Sequence, residues 1–420
     1  MHRSLGERAR RLLEGNTQTA ERKGRRFLFS VPSVRAYPFQ WFWDSCFHAV
    51  VWSRFDAERA AAELKGLLAW QDESGLIPHV VFWDEAKISS FAWHYLESHG
   101  RTRWLPIAGK PQTTVGIQPP VIAQAVERVV DAGANGGFLA EALPGLERYY
   151  RFLATVRDPD GDGLISIISQ FESGLDFSPA YDDVLGVRRP APVSLFARSR
   201  STQVVNKLAA FDVGRIVRCF RHHQEDVLVN SVYGQGLRAL ARLAECAGRP
   251  ELVAWANGRA DAVTAALLER CYDAERGLFF NVAGRDECRG TVKTVHSLMP
   301  LVLPDLPSDV ADRLVEHLTD PREFWAPYPV PSVALDEPTF TRDHRLRGVR
   351  FIWRGPTSMN TNWFLVHGLR RHGYEDVADQ VAARSLELVE RGGFNEFYDP
   401  IDGDPVGAEA FGWATLAVDL

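Results

Sequence analysis

The sequence predicts an all-α chain built from helical hairpins, and three observations carry that reading. Apolar residues recur at helical spacing over most of the chain. Between the helical stretches a degenerate phrase returns, an acidic turn followed by a Gly-Leu step and a short extended run: QDESGLIPHV from 71, DPDGDGLISI from 158 and YDAERGLFFN from 272. No Ser/Gly-rich linker, charge block or low-complexity tract breaks the 420 residues, so 1–420 is expected to be one domain.

The elements follow in order. An amphipathic stretch runs from about Ser4 to Glu14. In FQWFWDSCFHAV, Asp44 is suited to capping a helix N-terminus, which sets Trp41 and Trp43 at the helix mouth. The next stretch spans about Asp56 to Trp70. Pro119 and Pro120 then open a helix after Gln118 that reaches about Ala132. Further stretches cover about Glu141 to Val156, Val227 to Ala247, Leu252 to Cys271, Val310 to Leu318 and Thr361 to His372. Trp52, Trp70 and Trp255 sit on such stretches and are read as core. The last helix shows its face in Val377, Ala378, Val381, Ala382, Ser385, Leu388 and Val389, and stops at Gly392 and Gly393. Hairpins of this kind stack openly as a solenoid or close into a barrel, and periodicity leaves both open.

Composition narrows the function classes. With 45% apolar residues, 24% charged residues and a net charge of -6, the chain can bury a large core and has no basic bias toward nucleic acid. The first thirty residues carry basic clusters (Arg8, Arg10, Arg11, Arg22, Lys23, Arg25, Arg26) without an apolar core segment, and no run is long enough to cross a bilayer. A cytoplasmic address without membrane contact is the default expectation. Five cysteines, widely spaced and never arranged as CxxC, argue against a disulfide framework or a zinc site, so neither metal nor cofactor is expected. Asp158, Asp160 and Asp162 alternate as in a calcium loop, but the twelfth position is Ser169 rather than a bidentate Glu, which favours a plain turn. His222 and His223 are adjacent, diverge on a helix, and are expected at the surface.

The chemistry points to sugars. Glycosidic bonds are cut between two carboxyl groups, one protonating the leaving oxygen while the other activates water or attacks the sugar. Asp176 in QFESGLDFSP and Glu396 in GGFNEFYDP stand in aromatic, glycine-bracketed turns that suit such a pair. Twelve tryptophans, seven of them (Trp41, Trp43, Trp52, Trp70, Trp83, Trp93, Trp104) in the first quarter of the chain, offer flat apolar surfaces for pyranose rings. A basic stretch, 186–225, follows the Asp176 motif; between Gly186 and Arg221 it holds eight basic residues against one acid, Asp212. Such a stretch can steer and pair an anion, with Arg215 as the candidate.

The order of WFWDS, QPP, ESGLDFSP, WRGPT followed by NW, a late Glu and FGWATL resembles glycoside hydrolase family 63 from about residue 35 onward. The resemblance implies an (α/α)6 barrel of helical hairpins with short β-hairpin loops at the site mouth, and hydrolysis of an α-linked sugar with inversion. It implies Asp176 as general acid and Glu396 as general base, with Trp43, Asp44, Gln118, Trp353, Arg354 and Trp413 lining the sugar subsite; Trp41 and Gly355, beside them in the sequence, are further candidates. The chain has no room for the N-terminal β-domain of the large members that trim oligosaccharides. It therefore resembles the compact bacterial branch, similar to hydrolases of mannosylglycerate and glucosylglycerate, and the expected partner is a small anionic glycoside.

On this reading Asp176, enclosed by Phe171, Leu175 and Phe177, is expected to be partly desolvated and protonated, with Glu396 ionised about 6.5–9.5 Å away. The polar, Gly/Pro-containing segment 84–115, with Trp93 and Trp104, is expected to be a lid. Three rivals remain. A sugar isomerase or epimerase would use His79 and His296 as acid and base. A terpene-type cyclase needs an Asp-rich motif, and Asp182-Asp183 lacks a third partner. A helical-repeat binding module would leave the aromatic phrases at the helix mouths without a purpose.

Overall fold

The computed structural model describes residues 4–84, 112–134, 137–187, 192–343, 345–346, 349–350 and 353–420. Twelve α-helices occur among them: α1 (Leu5–Asn16), α2 (Phe42–Ser53), α3 (Ala57–Leu68), α4 (Ile122–Asp131), α5 (Gly137–Val156), α6 (Pro192–Leu208), α7 (Val213–Cys219), α8 (Val227–Cys246), α9 (Pro250–Ala266), α10 (Ser308–Thr319), α11 (Met359–Arg371) and α12 (Glu375–Gly392). Two 3₁₀ segments, Val295–Val302 and Gly412–Asp419, complete the framework.

Packing closes these elements into a ring. α2 packs on α4, α4 on α8, α8 on Val295–Val302, that segment on α11, α11 on Gly412–Asp419, and Gly412–Asp419 back on α2. Each inner element carries one outer helix: α3 on α2, α5 on α4, α9 on α8, α10 on Val295–Val302, α12 on α11 and α1 on Gly412–Asp419. The fold is thus an (α/α)6 barrel, and the open solenoid is excluded. Residue pattern explains the two layers. From Phe42 to Trp52 every side chain of α2 is buried, and so is all of Val295–Val302. A helix apolar all round needs neighbours on every side, whereas α1 and α12 bury a single stripe.

Caps fix where helices begin. Ser4 and Glu7 form a capping box on α1, Asp56 accepts from the Arg59 N–H at the start of α3, and Asp226 accepts from Val229 N–H at the start of α8. Asp44 is a correction: it lies in the first turn of α2, not at its cap. The backbone does that work, because the short strand Gln40–Trp41 pairs with Val80–Val81 and the Phe42 N–H donates to His79 O at 3.0 Å. The basic stretch 186–225 also differs from expectation. It forms two helices, α6 and α7, whose apolar positions are too sparse to announce themselves. His222 and His223 precede the extended pair Gln224–Glu225 instead of lying on a helix. His223 is buried and bonds to Phe220 O, while half-buried His222 bonds to Asn206 Oδ1.

Of the expected lid, residues 85–111, including Trp93 and Trp104, lie outside the described residues. The five cysteines are free; Cys46 and Cys271 are buried and the other three exposed. Among the described residues no helix is long and apolar enough to cross a membrane.

Candidate active site

One mouth of the barrel holds a recess lined by Pro32, Tyr37, Trp41, Trp43, Asp44, His79, Gln118, Gly174, Asp176, Trp353, Glu396, Phe411 and Trp413. Its walls are drawn from both ends of the chain and from its middle. Both carboxylates singled out in the sequence face it.

Glu396 stands on the strand Asn395–Tyr398, which pairs with Pro405–Glu409. Its Oε1 accepts from the Tyr37 hydroxyl at 2.8 Å and its Oε2 from Ala408 N–H at 2.8 Å. The Trp413 indole N–H donates to the Glu396 carbonyl at 3.0 Å, so the indole fixes the main chain behind the carboxylate. Gly407, with φ of +85°, makes room: a Cβ there would stand 2.7 Å from Glu396 Oε2.

Asp176 is half-buried in a turn pinned on both sides. Leu175 N–H donates to Ser173 Oγ at 3.0 Å and Phe177 N–H to Gln170 Oε1 at 2.9 Å. Phe177 adopts φ of +64°, a left-handed conformation that a non-glycine residue holds only when its surroundings impose it. Gly174, at φ of +75°, lets the Trp43 indole lie against the turn, since a Cβ would meet that ring at 2.5 Å.

Asp44 is the third carboxyl of the recess. Burial first, and then the negative charge of Glu396, hold it well above the usual carboxylate range, and its Oδ1 has no hydrogen-bond partner. Gln118 Oε1 accepts from Trp43 N–H at 3.0 Å, satisfying one of the free donors at the start of α2. The Trp43, Trp353 and Trp413 rings form a connected aromatic floor, with centroids 5.7 Å apart for Trp43 and Trp413 and 6.2 Å for Trp353 and Trp413. Trp41 meets His79 edge to face at 5.1 Å.

The mannosylglycerate hydrolase MGH1-like glycoside hydrolase domain matches residues 37–414. The chain belongs to this glycoside hydrolase family. This hydrolase is 33% identical to the mannosylglycerate hydrolase of Rubrobacter radiotolerans over 430 aligned residues, 93% of this chain and 92% of that one. To the glucosylglycerate hydrolase of Mycolicibacterium hassiacum it is 26% identical over 422 residues, 91% of each chain. The crystal structure of the family 63 mannosylglycerate hydrolase from Thermus thermophilus in complex with glucose superposes with a TM-score of 0.82 at 29% identity, covering 99% of both chains. The same enzyme in complex with Tris and D-glycerate gives 0.81 at 28% identity, over 99% of this chain and 98% of that one.

Three residues expected at the subsite of the hydrolase do not line the recess. Arg354 is buried and donates from Nη2 to Asp182 Oδ1, the first residue of the acidic pair Asp182-Asp183. Gly355 is required by space, because a Cβ would meet Thr341 O at 2.3 Å. Arg215 is exposed on α7, where its backbone N–H bonds to Asp212. Its neighbour in the basic stretch, Arg200 on α6, instead lies over the Phe171 ring of the Asp176 motif at 4.9 Å. The two histidines of the isomerase reading are separated: His79 lines the recess, while His296 is buried with Tyr181 and Asp226 in a different one.

Sequence reasoning missed Tyr37, and it assigned His79 only to the rival reading. Tyr37 gives no local signal beyond an aromatic residue before WFWDS, because its partner Glu396 is 359 positions away. Glu172 was also passed over. It accepts from Arg157 at 2.7 and 3.0 Å, from Ile117 N–H at 2.9 Å and from Ile168 N–H at 2.7 Å, and so ties the segment before Gln118 to the Asp176 turn.

Proposed function

We propose that the protein is an inverting α-glycosidase that hydrolyses 2-O-α-mannosylglycerate or 2-O-α-glucosylglycerate, releasing hexose and glycerate. The observation that carries this is the convergence of Asp176 and Glu396 on one indole-floored recess. Asp176 is the general acid and protonates the glycosidic oxygen. Glu396, whose two oxygens both accept hydrogen bonds, is the general base and deprotonates water on the opposite face of the ring. Trp41, Trp43, Trp353 and Trp413 present ring faces and edges to the sugar, and Asp44 and Gln118 meet its hydroxyls. The mannosyl compound is the first substrate to test, since the more similar of the two named relatives acts on it by name.

Proton NMR of fresh product is the direct test. An α-linked substrate should release the β-anomer first; initial α-anomer removes inversion. A panel of mannosides and glucosides bearing glycerate, lactate, glycerol or a second sugar then fixes both halves of the substrate. For the aglycone carboxylate, Arg200, which lies over Phe171 of the Asp176 motif, is the first member of the basic stretch to test. Arg200→Ala should raise KM for the glycerate compound by roughly 10–100-fold with little change for a glycerol aglycone, and Arg215→Ala should leave both constants unchanged.

A further inference from the structure

Three buried polar groups stand beyond the Asp176 motif and take no part in the proposed chemistry. Tyr181, Asp226 and His296 are all buried, and none of them lines the recess. The Tyr181 hydroxyl donates to Asp226 Oδ2 at 2.7 Å and stands 2.9 Å from His296 Nε2. Asn281 Nδ2 donates to the same carboxylate oxygen at 2.9 Å, while Asp226 Oδ1 caps α8 through Val229 N–H at 2.9 Å. With its own proton given to Asp226, the Tyr181 oxygen can only accept from His296, which places the ring proton on Nε2. His296 Nδ1 then accepts from the Thr294 hydroxyl at 3.0 Å. Burial holds His296 below its usual range, in keeping with a neutral ring. The hydroxyl, both ring nitrogens and both carboxylate oxygens thus have partners, and one arrangement of protons serves them all.

A fully satisfied buried network specifies a position, whereas apolar packing alone would bury the Tyr181 ring without setting a single place for it. What this network fixes is the far end of the turn that carries Asp176. Upstream, Ser173 and Gln170 hold that turn through Leu175 N–H and Phe177 N–H. Downstream, Ser178 N–H donates to Leu175 O and Tyr181 N–H to Ser178 O, both at 3.1 Å, so the backbone passes from Asp176 to Tyr181 through the single 3₁₀ turn Pro179–Tyr181. The Tyr181 side chain then anchors the segment to two inner elements of the barrel, to α8 through Asp226 and to Val295–Val302 through His296. Between the anchors Phe177 keeps its left-handed φ of +64°, a conformation that persists only where the surroundings hold it.

We infer that Tyr181, fixed by Asp226 and His296, is a positioning residue that holds Asp176 in reach of the glycosidic oxygen. The inference rests on Asp176 being the general acid. Proton transfer needs donor and acceptor within about 2.6–3.2 Å, and a misplacement of about 1 Å costs about a hundredfold in rate. Removing the Tyr181 hydroxyl should therefore slow the one step in which the leaving oxygen takes a proton.

A substrate whose leaving group needs no proton separates this role from a general loss of structure. In an α-glycosyl fluoride the C–F bond breaks with its electron pair leaving on fluoride, while water, deprotonated by Glu396, forms the new bond to the anomeric carbon. The test compares 2-O-α-mannosylglycerate with α-mannosyl fluoride, or the two glucosyl compounds if the wild type turns them over faster, on the full chain as wild type, Asp176→Asn and Tyr181→Phe. Asp176→Asn should lose the glycoside and keep most of its turnover of the fluoride. Tyr181→Phe should show the same split on a smaller scale: kcat for the glycoside falls about 10–100-fold, KM changes by less than about threefold, and kcat for the fluoride stays within about threefold of the wild type. Equal loss on both substrates, through misfolding or otherwise, or wild-type turnover of the glycoside, overturns the inference. If Asp176→Asn itself shows no split, the acid role falls and the inference falls with it; a split in Asp176→Asn alone removes Tyr181 and leaves the acid in place.

Discussion

Asp176→Asn and Glu396→Gln should each lower kcat by about 10³-fold or more while the far-ultraviolet circular dichroism stays that of the folded barrel. Normal turnover in either variant removes that residue from its role. Asp44 supplies a sharper prediction, because its surroundings work against its charge. Burial and Glu396 raise its folded pKa, so its cost to stability is absent below the unfolded carboxylate value of about 4 and grows as the pH rises toward the folded one. Asp44→Asn should therefore raise the melting temperature at pH 7–8, by roughly 1–3 kcal/mol in stability, while kcat/KM falls at least about tenfold. A lower melting temperature at that pH would show that Asp44 is held ionised by partners of its own. At this scale the sequence was legible where chemistry is local. Acidic residues bracketed by glycines and aromatics marked Asp176 and Glu396, and WFWDS marked the indoles. What could not be read were the partners, such as Tyr37, that only the closed chain brings near.

A turn and a short strand, rather than helices, hold the two candidate carboxylates Asp176 and Glu396, and the glycines beside them are the fragile positions. At Gly174 a Cβ would strike the Trp43 indole at 2.5 Å in a backbone already at φ +75°, so Gly174→Ala should cost about 1–3 kcal/mol and most of the activity together. Denaturation midpoints and initial rates measured on the same preparation check this; an active, fully stable variant would mean that the indole can step aside. Glu172→Gln should cost about 3–5 kcal/mol, since Arg157 is left buried without its counter-charge, and adding Arg157→Met should return part of the loss. Helices with a single apolar stripe, such as α12, were readable to within a few residues. The cap of α2 was not, because a neighbouring strand replaces the side chain that the sequence offers. α6 and α7 were hidden by their weak stripe.

For the molecule as a whole, closure rests on Gly412–Asp419. Asp419 accepts from the Trp363 indole at 2.8 Å and from Arg54 and Arg128 at 2.9 Å each, with His367 at 3.3 Å. Burial alone would raise its pKa, but the bond from His367, the charge of Arg128 and the bond from Trp363 outweigh it, and the net shift is downward. A depressed carboxylate contributes fully above the unfolded value of about 4 and loses its contribution as the pH falls through the folded pKa. Asp419→Asn should thus lower the melting temperature at pH 7 and bring it level with the wild type below about pH 3; an equal deficit at both pH values would assign the loss to packing instead. Hairpin repetition announced a helical array, but ring closure is a contact between the start and the far end of the polypeptide, invisible to any local period. That closure also has a meaning in time. A ribosome that has not yet released residues 396–419 holds a chain that still lacks Glu396, the Trp413 indole and the segment that closes the ring, so the recess is first complete when that last strut drops into place.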